Sequence, residues 1–403
     1  MSQRVIIIGS NPMTRLSLIR SIGEVTDCDI TVIGMVHEMP KKKTMPMDAH
    51  SKYVDRYLRA LKYDADGLCN LLLDQFAGEG VKPLVLSVDD DSAYLIDCSF
   101  NKLKDHFHCA HVAHTQGQLA RLMDKQVQKQ LAEESGFHVA KSWVVEHSDG
   151  HYVLPEGITY PCYLKGLLSY HSMKAWQRRY DTSEALVHAL DQVGRHCSEP
   201  MLVEEYIEVE SELGVMGFAD GRECVVPAIV ELQESGRGAH HGVSVFGRVR
   251  KELPKEHITV KVTDMVNKIG LFGLFNVDLA VSHGNVFFVE LNLRFAAYGH
   301  AITKAGVNLP ALFTRCVFSV PETELSTTIQ RECSYVNEYV ALDDFLRGNR
   351  TLKECKALKR KADFGLMDDS IDDRPYKDIK RHLLCYFFKV RTKLFLDKLI
   401  NKV

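Results

Sequence analysis

Asp278, Glu290, Asn292 and Arg294 are the residues whose types and spacing best suit chemistry. Asp278 ends the run Asn276-Val277-Asp278, and twelve residues on stands Glu290-Leu291-Asn292-Leu293-Arg294. Apolar runs flanking His283-Gly284-Asn285 predict a hairpin, with Phe275 to Ser282 returning as Val286 to Leu291. Side chains two apart on a strand project to one side, so Glu290 and Asn292 share a face and Asp278 can lie across from them. Three hard oxygen donors gathered there suit Mg²⁺, with water and phosphate oxygens as its other ligands. Such an ion neutralises charge during phosphoryl transfer. Arg294 follows on the same side, where a guanidinium suits a developing acyl phosphate or a tetrahedral oxyanion. Each residue alone has a plainer reading, as a solvated carboxylate or as an arginine paired with Glu290. The order and spacing of the set favour the metal.

The elements that must position these residues can be read along the chain. Val5 to Ile8, Ile30 to Ile33 and Pro83 to Val88 read as strands, the last ending in Asp89-Asp90-Asp91. Asn11 caps a helix whose first position is Pro12, with Met13, Leu16, Ile19 and Ile22 on one face before Gly23 stops it. This is a βαβ pattern with a parallel sheet. Gly9-Ser10-Asn11 is no GxGxxG fingerprint, so a dinucleotide site is not supported. From Thr115 the texture changes. A helix from Lys125, capped by Asp124, precedes strands at Ser142 to Val145 and Cys162 to Lys165. Ser183 caps an amphipathic helix with Leu186, Leu190 and Val193 inward. Met201 to Val203 runs into Glu204-Glu205-Tyr206-Ile207-Glu208, and Asp220-Gly221 marks a hairpin. A helix near Thr259 to Lys268 then leads to the second hairpin. Three regions result: 1–115, 116–327 with a smaller lobe at about 138–205, and 328–403.

With 403 residues, 45% apolar and 26% charged, the chain suits two or three compact units. A net charge of −3 and the lack of any zinc-finger or RNP run argue against nucleic acid as partner. No signal-peptide core or membrane-spanning stretch is expected. The cysteines are an odd eleven without a CxxC pair, which suits a reduced, cytoplasmic setting. The last stretch, Lys377 to Val403, carries eight Lys or Arg against two Asp, interleaved with Leu383, Phe387, Phe388 and Leu399. Two readings stay open for it. It is a basic helix on the anionic inner face of a membrane, or a closing helix packed on the protein.

Asp278 with Glu290-x-Asn292-x-Arg294 resembles the metal-binding end of the ATP-grasp superfamily, and the resemblance runs in matching order over residues 115 to 320. It implies an α/β architecture: an N-terminal Rossmann-like βαβ domain, a two-lobed ATP-grasp domain and a helical basic tail. ATP and Mg²⁺ (or Mn²⁺) are the implied cofactors. Lys125 resembles the family's first nucleotide-contacting lysine. Lys165 matches the second, which holds phosphate oxygens. Glu204, Glu205, Tyr206 and Ile207 resemble the hinge that reads adenine, and Glu212 falls where a carboxylate takes the ribose hydroxyls, with Glu210 as its alternative. Lys165 and Arg294 are the expected catalytic pair. Asp278, Glu290 and Asn292 are the expected metal ligands.

The sequence also departs from the family. The usual glycine-rich lid is here Gly166-Leu167-Leu168-Ser169-Tyr170-His171-Ser172, which implies a stiffer lid or contacts from His171 and Ser172. Asn276 stands where several relatives have arginine. The whole chain is most similar to carboxylate–amine ligases of the D-aspartate ligase type, through Asp89-Asp90-Asp91, Asn276-Val277-Asp278 and an Asp372-Asp373-Arg374-Pro375 turn before the basic helix. That resemblance implies an amino-acid carboxylate, an amine acceptor in a cell-wall precursor, amide formation through an acyl phosphate, and possible pairing as a homodimer. The loop Gly236 to Gly242, with His240 and His241, and the arginines Arg248 and Arg250 are further candidate substrate contacts. The alternatives are a carboxylase or carbamoyl-phosphate-type enzyme and a non-catalytic nucleotide-binding protein at the membrane.

Overall fold

The computed structural model describes residues 3–366, apart from 40–44, 79, 171–175, 239–241, 252–256 and 321–324, together with residue 392. A strand that is apolar at every position, as Val5 to Ile8 is, needs cover on both faces, and a parallel sheet provides it. The first unit runs β1 (Arg4–Gly9), α1 (Pro12–Gly23), β2 (Asp29–Val36), β3 (Arg56–Leu61), α2 (Ala65–Phe76), β4 (Leu84–Ser87), α3 (Asp90–Cys98), α4 (Phe100–Leu103) and β5 (His108–Cys109). Its strands are all parallel, in the order β3-β2-β1-β4-β5. The winding reverses between β1 and β4, and such a switch point opens a crevice at the strands' carboxyl ends. Asp89 ties the two loops there. It accepts from the Ser10 amide at 2.5 Å and hydroxyl at 2.7 Å, and it caps α3 through the Ser92 amide at 2.9 Å.

The Asn11 cap and Pro12 start of α1 form as expected. Its single apolar face does not, because every residue from Thr14 to Ile22 is buried. The far side of the helix is covered by helices from later in the chain. Strand β3 went unread. Arg-Tyr-Leu-Arg-Ala-Leu mixes charge into both faces, which suits the sheet edge it occupies.

The smaller lobe follows β6 (His111–Val112), α5 (Gln118–Arg121), α6 (Lys125–Glu134) and β7 (His138–Val139). It comprises β8 (Ser142–Ser148), β9 (His151–Val153), β10 (Cys162–Gly166), β11 (Arg178–Tyr180), α7 (Ser183–Gly194) and β12 (Met201–Glu205), with sheet order β11-β10-β12-β8-β9. Thr182, not Ser183, caps α7, its hydroxyl accepting the Ala185 amide.

The large sheet contains β13 (Ser211–Asp220), β14 (Cys224–Ser235), β15 (Ser244–Arg250), β16 (Leu271–Ser282) and β17 (Asn285–Asn292), with α8 (Ile258–Ile269) against it. Further on come α9 (Gly299–Lys304), α10 (Leu309–Phe318), β18 (Cys333–Val336), α11 (Glu338–Leu346), α12 (Leu352–Lys361) and β19 (Phe364–Gly365). The order is β19-β18-β15-β14-β13-β16-β17-β7, with β6 also on β16. The region after Thr328 therefore begins as part of this sheet. The Asp372 turn and the basic helix expected over 377–403 lie outside the described residues. One apolar core runs from Val5, Leu18 and Ile22 into Phe295, Ile302 and Phe313, which fixes the parallel unit against the large sheet. Among the described residues no helix is long and apolar enough to cross a membrane.

Candidate active site

The hairpin forms with a turn one residue tighter than expected, Ser282 pairing with Asn285, and a β-bulge between Asp278 and Leu279 restores the pairing expected at the site. Asp278 pairs with Glu290, and Asn276 with Asn292, across β16 and β17. Asp278 accepts an amide hydrogen from Asn276 on one oxygen and from Asn292 on the other, both at 2.8 Å. Burial lifts its carboxyl to about 7, with Glu290 adding to the rise. Glu290 goes the other way. Burial opposes it, but Lys125, the Ser169 hydroxyl and Lys165 bring it down to about 2. Two facing carboxylates with such divided proton affinities, beside an amide oxygen, suit a hard dication, which would ionise Asp278. Among the described residues no group of three or more His, Cys, Asp or Glu is set to hold a metal. A metal here would thus rely on two carboxylates, Asn292 and oxygens from a bound phosphate.

Lysines face this hairpin from two sides. Asp124 caps α6 and places Lys125 at its first position. Lys125 Nζ lies 3.3 Å from Glu290, and the Ser169 hydroxyl donates to the same carboxylate at 2.6 Å. Lys129, one helical turn along the same face, was not expected in the site. It lies 2.5 Å from Glu204, whose other oxygen is 2.8 Å from Lys165. All three lysines are buried. Burial pushes Lys129 below its ordinary range, partly offset by Glu204. Glu204 is held below the usual carboxylate range because its two lysines outweigh burial.

Gln128 fixes the distance between helix and hairpin. Its amide accepts from Leu291 N–H at 2.9 Å and donates to Leu291 C=O at 2.8 Å.

The expected hinge residues divide. Glu204 and Glu205 belong to β12, and both oxygens of Glu204 are taken by lysines. Glu205 accepts the Lys141 amide at 2.8 Å. Tyr206 and Ile207 leave the strand, and the Arg179 guanidinium lies 4.6 Å from the Tyr206 ring. Tyr163, Glu204, Tyr206 and Glu212 sit close enough that the carboxylates help raise the Tyr163 hydroxyl, after burial. Glu212 shares the Asp278 face of the large sheet through its pairing with Ala280. Glu210 instead accepts the His283 amide at 3.0 Å in the hairpin turn.

The start of the segment expected as a lid is pinned. Lys125 N–H donates to Leu167 C=O at 3.1 Å, and Ser169 N–H to Met123 C=O at 3.0 Å. Tyr170 stacks on Tyr94 of α3 with ring centroids 4.0 Å apart. His171 and Ser172 lie outside the described residues, as do His240 and His241.

Arg294 sits in a bend just past β17. Its Nε and Nη2 donate to the two oxygens of Asp90, at 3.1 and 3.3 Å, and Nη2 also donates to Asn292 at 2.9 Å. Burial would lower this guanidinium, but Asp90, with Asp278 and Glu290, holds it above its ordinary range. The expected candidates Arg248 and Arg250 do not join this group. Arg250 pairs with Glu332 at 3.0 Å and Glu231 at 3.5 Å, and Arg248 is exposed beside them.

Residues 130–308 match the family model described as the ATP-grasp domain. The chain carries an ATP-grasp domain. In sequence it is similar to the carbamoyl phosphate synthase large chain of Gemmatimonas aurantiaca, at 29% identity over 36% of this chain and 14% of that one. The C-terminal section of the same enzyme from Methanocaldococcus jannaschii is 28% identical over 38% of this chain and 25% of the relative. The chain thus spans a minor part of the length of these relatives. In fold the protein is similar to an L-amino acid ligase from Bacillus licheniformis, with TM-score 0.61, 15% identity, and 83% and 79% of the two chains covered. An N5-carboxyaminoimidazole ribonucleotide synthetase solved with ADP gives TM-score 0.64, 16% identity, and 86% and 85% coverage. At these identities the likeness is one of fold, over more of the chain than the family model covers.

Proposed function

We propose that the protein is an ATP-dependent carbon–nitrogen ligase joining a carboxylate to an amine through an acyl phosphate. The observation that carries this reading is the meeting of Lys125 and Lys165 with the Asp278–Glu290 hairpin and Arg294 at one buried place. Asp278, Glu290 and Asn292 would hold Mg²⁺ or Mn²⁺, which would supply positive charge to offset that of the phosphates. Lys125, Lys129 and Lys165 offer cations to the phosphate oxygens. Glu212 accepts from the ribose hydroxyls, while Glu205, Tyr206 and Ile207 border the base. A substrate carboxylate oxygen attacks the γ-phosphorus and ADP leaves. The amine nitrogen then attacks the acyl carbon and the C–O bond to phosphate breaks. Phosphate departs, the nitrogen gives up a proton, and the amide remains. Arg294 stabilises the oxyanion that builds up in this second step.

The amino-acid carboxylate and the cell-wall amine acceptor belong to the same reading, as does a cytoplasmic enzyme touching the inner membrane face through residues 377–403. The test is ADP release with Mg²⁺ and amino acids supplied singly and in pairs. Release that needs both an acid and an amine is expected. Release driven by bicarbonate alone, the chemistry suggested by the carbamoyl phosphate synthase relatives, would replace this reading.

A further inference from the structure

Asp90 belongs to α3 of the parallel unit, far in sequence from the hairpin, yet it meets Arg294 with both oxygens. A fork-to-fork contact of this kind fixes the plane of a guanidinium as well as its position. Arg294 needs such a restraint. It stands in a bend beyond the end of β17, where no sheet hydrogen bonds hold its backbone in register. The ion pair ends a line of side-chain hydrogen bonds that begins behind the metal candidates. Tyr298 donates to Asn276 at 2.5 Å, Asn276 and Asn292 both donate to Asp278, and Arg294 donates to Asn292. Asp90 is itself anchored. It is the first residue of a helix whose cap, Asp89, is bound to the β1 loop through Ser10. The neighbouring Asp91 pairs with Lys62 at 2.8 Å, so each member of the Asp89-Asp90-Asp91 run has a different partner. Tyr94, one turn after Asp90 on α3, reaches the start of the lid through Tyr170. One face of α3 therefore touches both the reaction arginine and the loop expected over the phosphates.

We infer that Asp90 is a positioning residue of the reaction, holding Arg294 in the plane needed by the acyl transition state, so that the parallel unit completes the active site. The inference rests on the ligase reading above. It assigns Asp90 to Arg294, not to the amine substrate, for which a carboxylate at the crevice would otherwise be the obvious ligand.

The experiment uses the full chain, with ADP release measured for the amino-acid pair giving the highest turnover in the screen above. Asp90→Asn should lower kcat by roughly 10²-fold, the scale of an approximately 1 Å misplacement. KM for ATP and the Kd for MgADP should stay within about twofold, since neither depends on a group acting only in the transition state. In an Arg294→Met background, Asp90→Asn should cost nothing further, because a residue acting only through Arg294 has no effect once it is gone. Asp90→Glu keeps the charge, moves it by one methylene, and should restore part of kcat. It also provides a folded comparison if the Asn variant melts early. Full additivity with Arg294→Met, or a rise in amine KM with kcat unchanged, would overturn the inference and make Asp90 a substrate ligand. Failure of the wild-type chain to bind MgADP would instead remove the ligase reading itself.

Discussion

Lys125, at the first position of α6, stands 3.3 Å from Glu290 on β17, so a cation expected to face phosphate is in contact with a carboxylate expected to face metal. With Mg²⁺ and nucleotide bound, each would exchange the other for its own ligand. Glu290→Gln keeps the shape and removes the charge. Turnover should fall by about 10²-fold or more. The stronger check is calorimetric: ADP affinity measured with Mg²⁺ and with EDTA should differ in the wild type and become equal in the variant. A variant that still distinguishes the two would place the metal elsewhere.

Glu204 bonds Lys129 and Lys165 in a buried site, which makes it a structural residue as much as a binding one. Removing the shared acid strands two buried ammonium groups. A partner lost from such a pair costs about 3 to 5 kcal/mol, so Glu204→Gln should lower the urea midpoint by that amount of unfolding free energy. Saturating ATP should recover part of the loss, because phosphate replaces the missing negative charge. A loss below about 1 kcal/mol, the level of an exposed pair, would mean that water reaches the lysines.

Much of this site was legible because its residues lie on regular elements. The turn residues marked the hairpin, but the turn alone closes with Ser282 opposite Asn285, and it takes a β-bulge between Asp278 and Leu279 to bring Asp278 opposite Glu290. Asp124 and Asn11 cap the helices that the sequence assigns to them, since a capping side chain acts on amides two or three residues away. What escaped reading depends on contacts between distant segments. Lys129 could have been suspected from its i,i+4 spacing to Lys125, but nothing near it in sequence points to Glu204. Asp90 reads only as part of an acidic run at the end of a strand until the large sheet carries Arg294 to it. The buried far side of α1 failed for the same reason: its cover comes from α9 and α10, which the local pattern does not reveal.

His111 supplies a pH test remote from the chemistry. Its ring stacks on Phe272 at 5.0 Å, and Nδ1 accepts the His114 amide at 3.1 Å. Burial, with His114 beside it, lowers its pKa from 6.5 to about 4. A base whose folded-state pKa is depressed contributes stability above its unfolded value, and that contribution disappears as pH falls through the folded one. Thermal midpoints should therefore drop between pH 6.5 and 4, partly because protonating Nδ1 breaks the bond from His114. His111→Gln should show a shallower decline over that window. Parallel curves for the two proteins would assign the acid sensitivity to other groups.

Tyr94 and Tyr170 stack at 4.0 Å with their planes 16° apart, and this contact joins α3 to the residue after Ser169. Because Ser169 in turn holds Glu290, loosening the stack should be felt at the hairpin. Such an aromatic pair is worth about 0.5 to 1.5 kcal/mol beyond the area it buries. If that energy holds the lid's first residues in place, Tyr94→Leu should weaken MgADP binding by roughly 2- to 10-fold. Hydrogen exchange at Leu168, Ser169 and Tyr170 should accelerate, while α2 and β4 exchange as before. Tyr94→Phe keeps the ring and should restore both measurements. If the leucine variant binds and exchanges like the wild type, the backbone bonds from Met123 and Lys125 are enough to hold the loop, and α3 reaches the site through Asp90 alone.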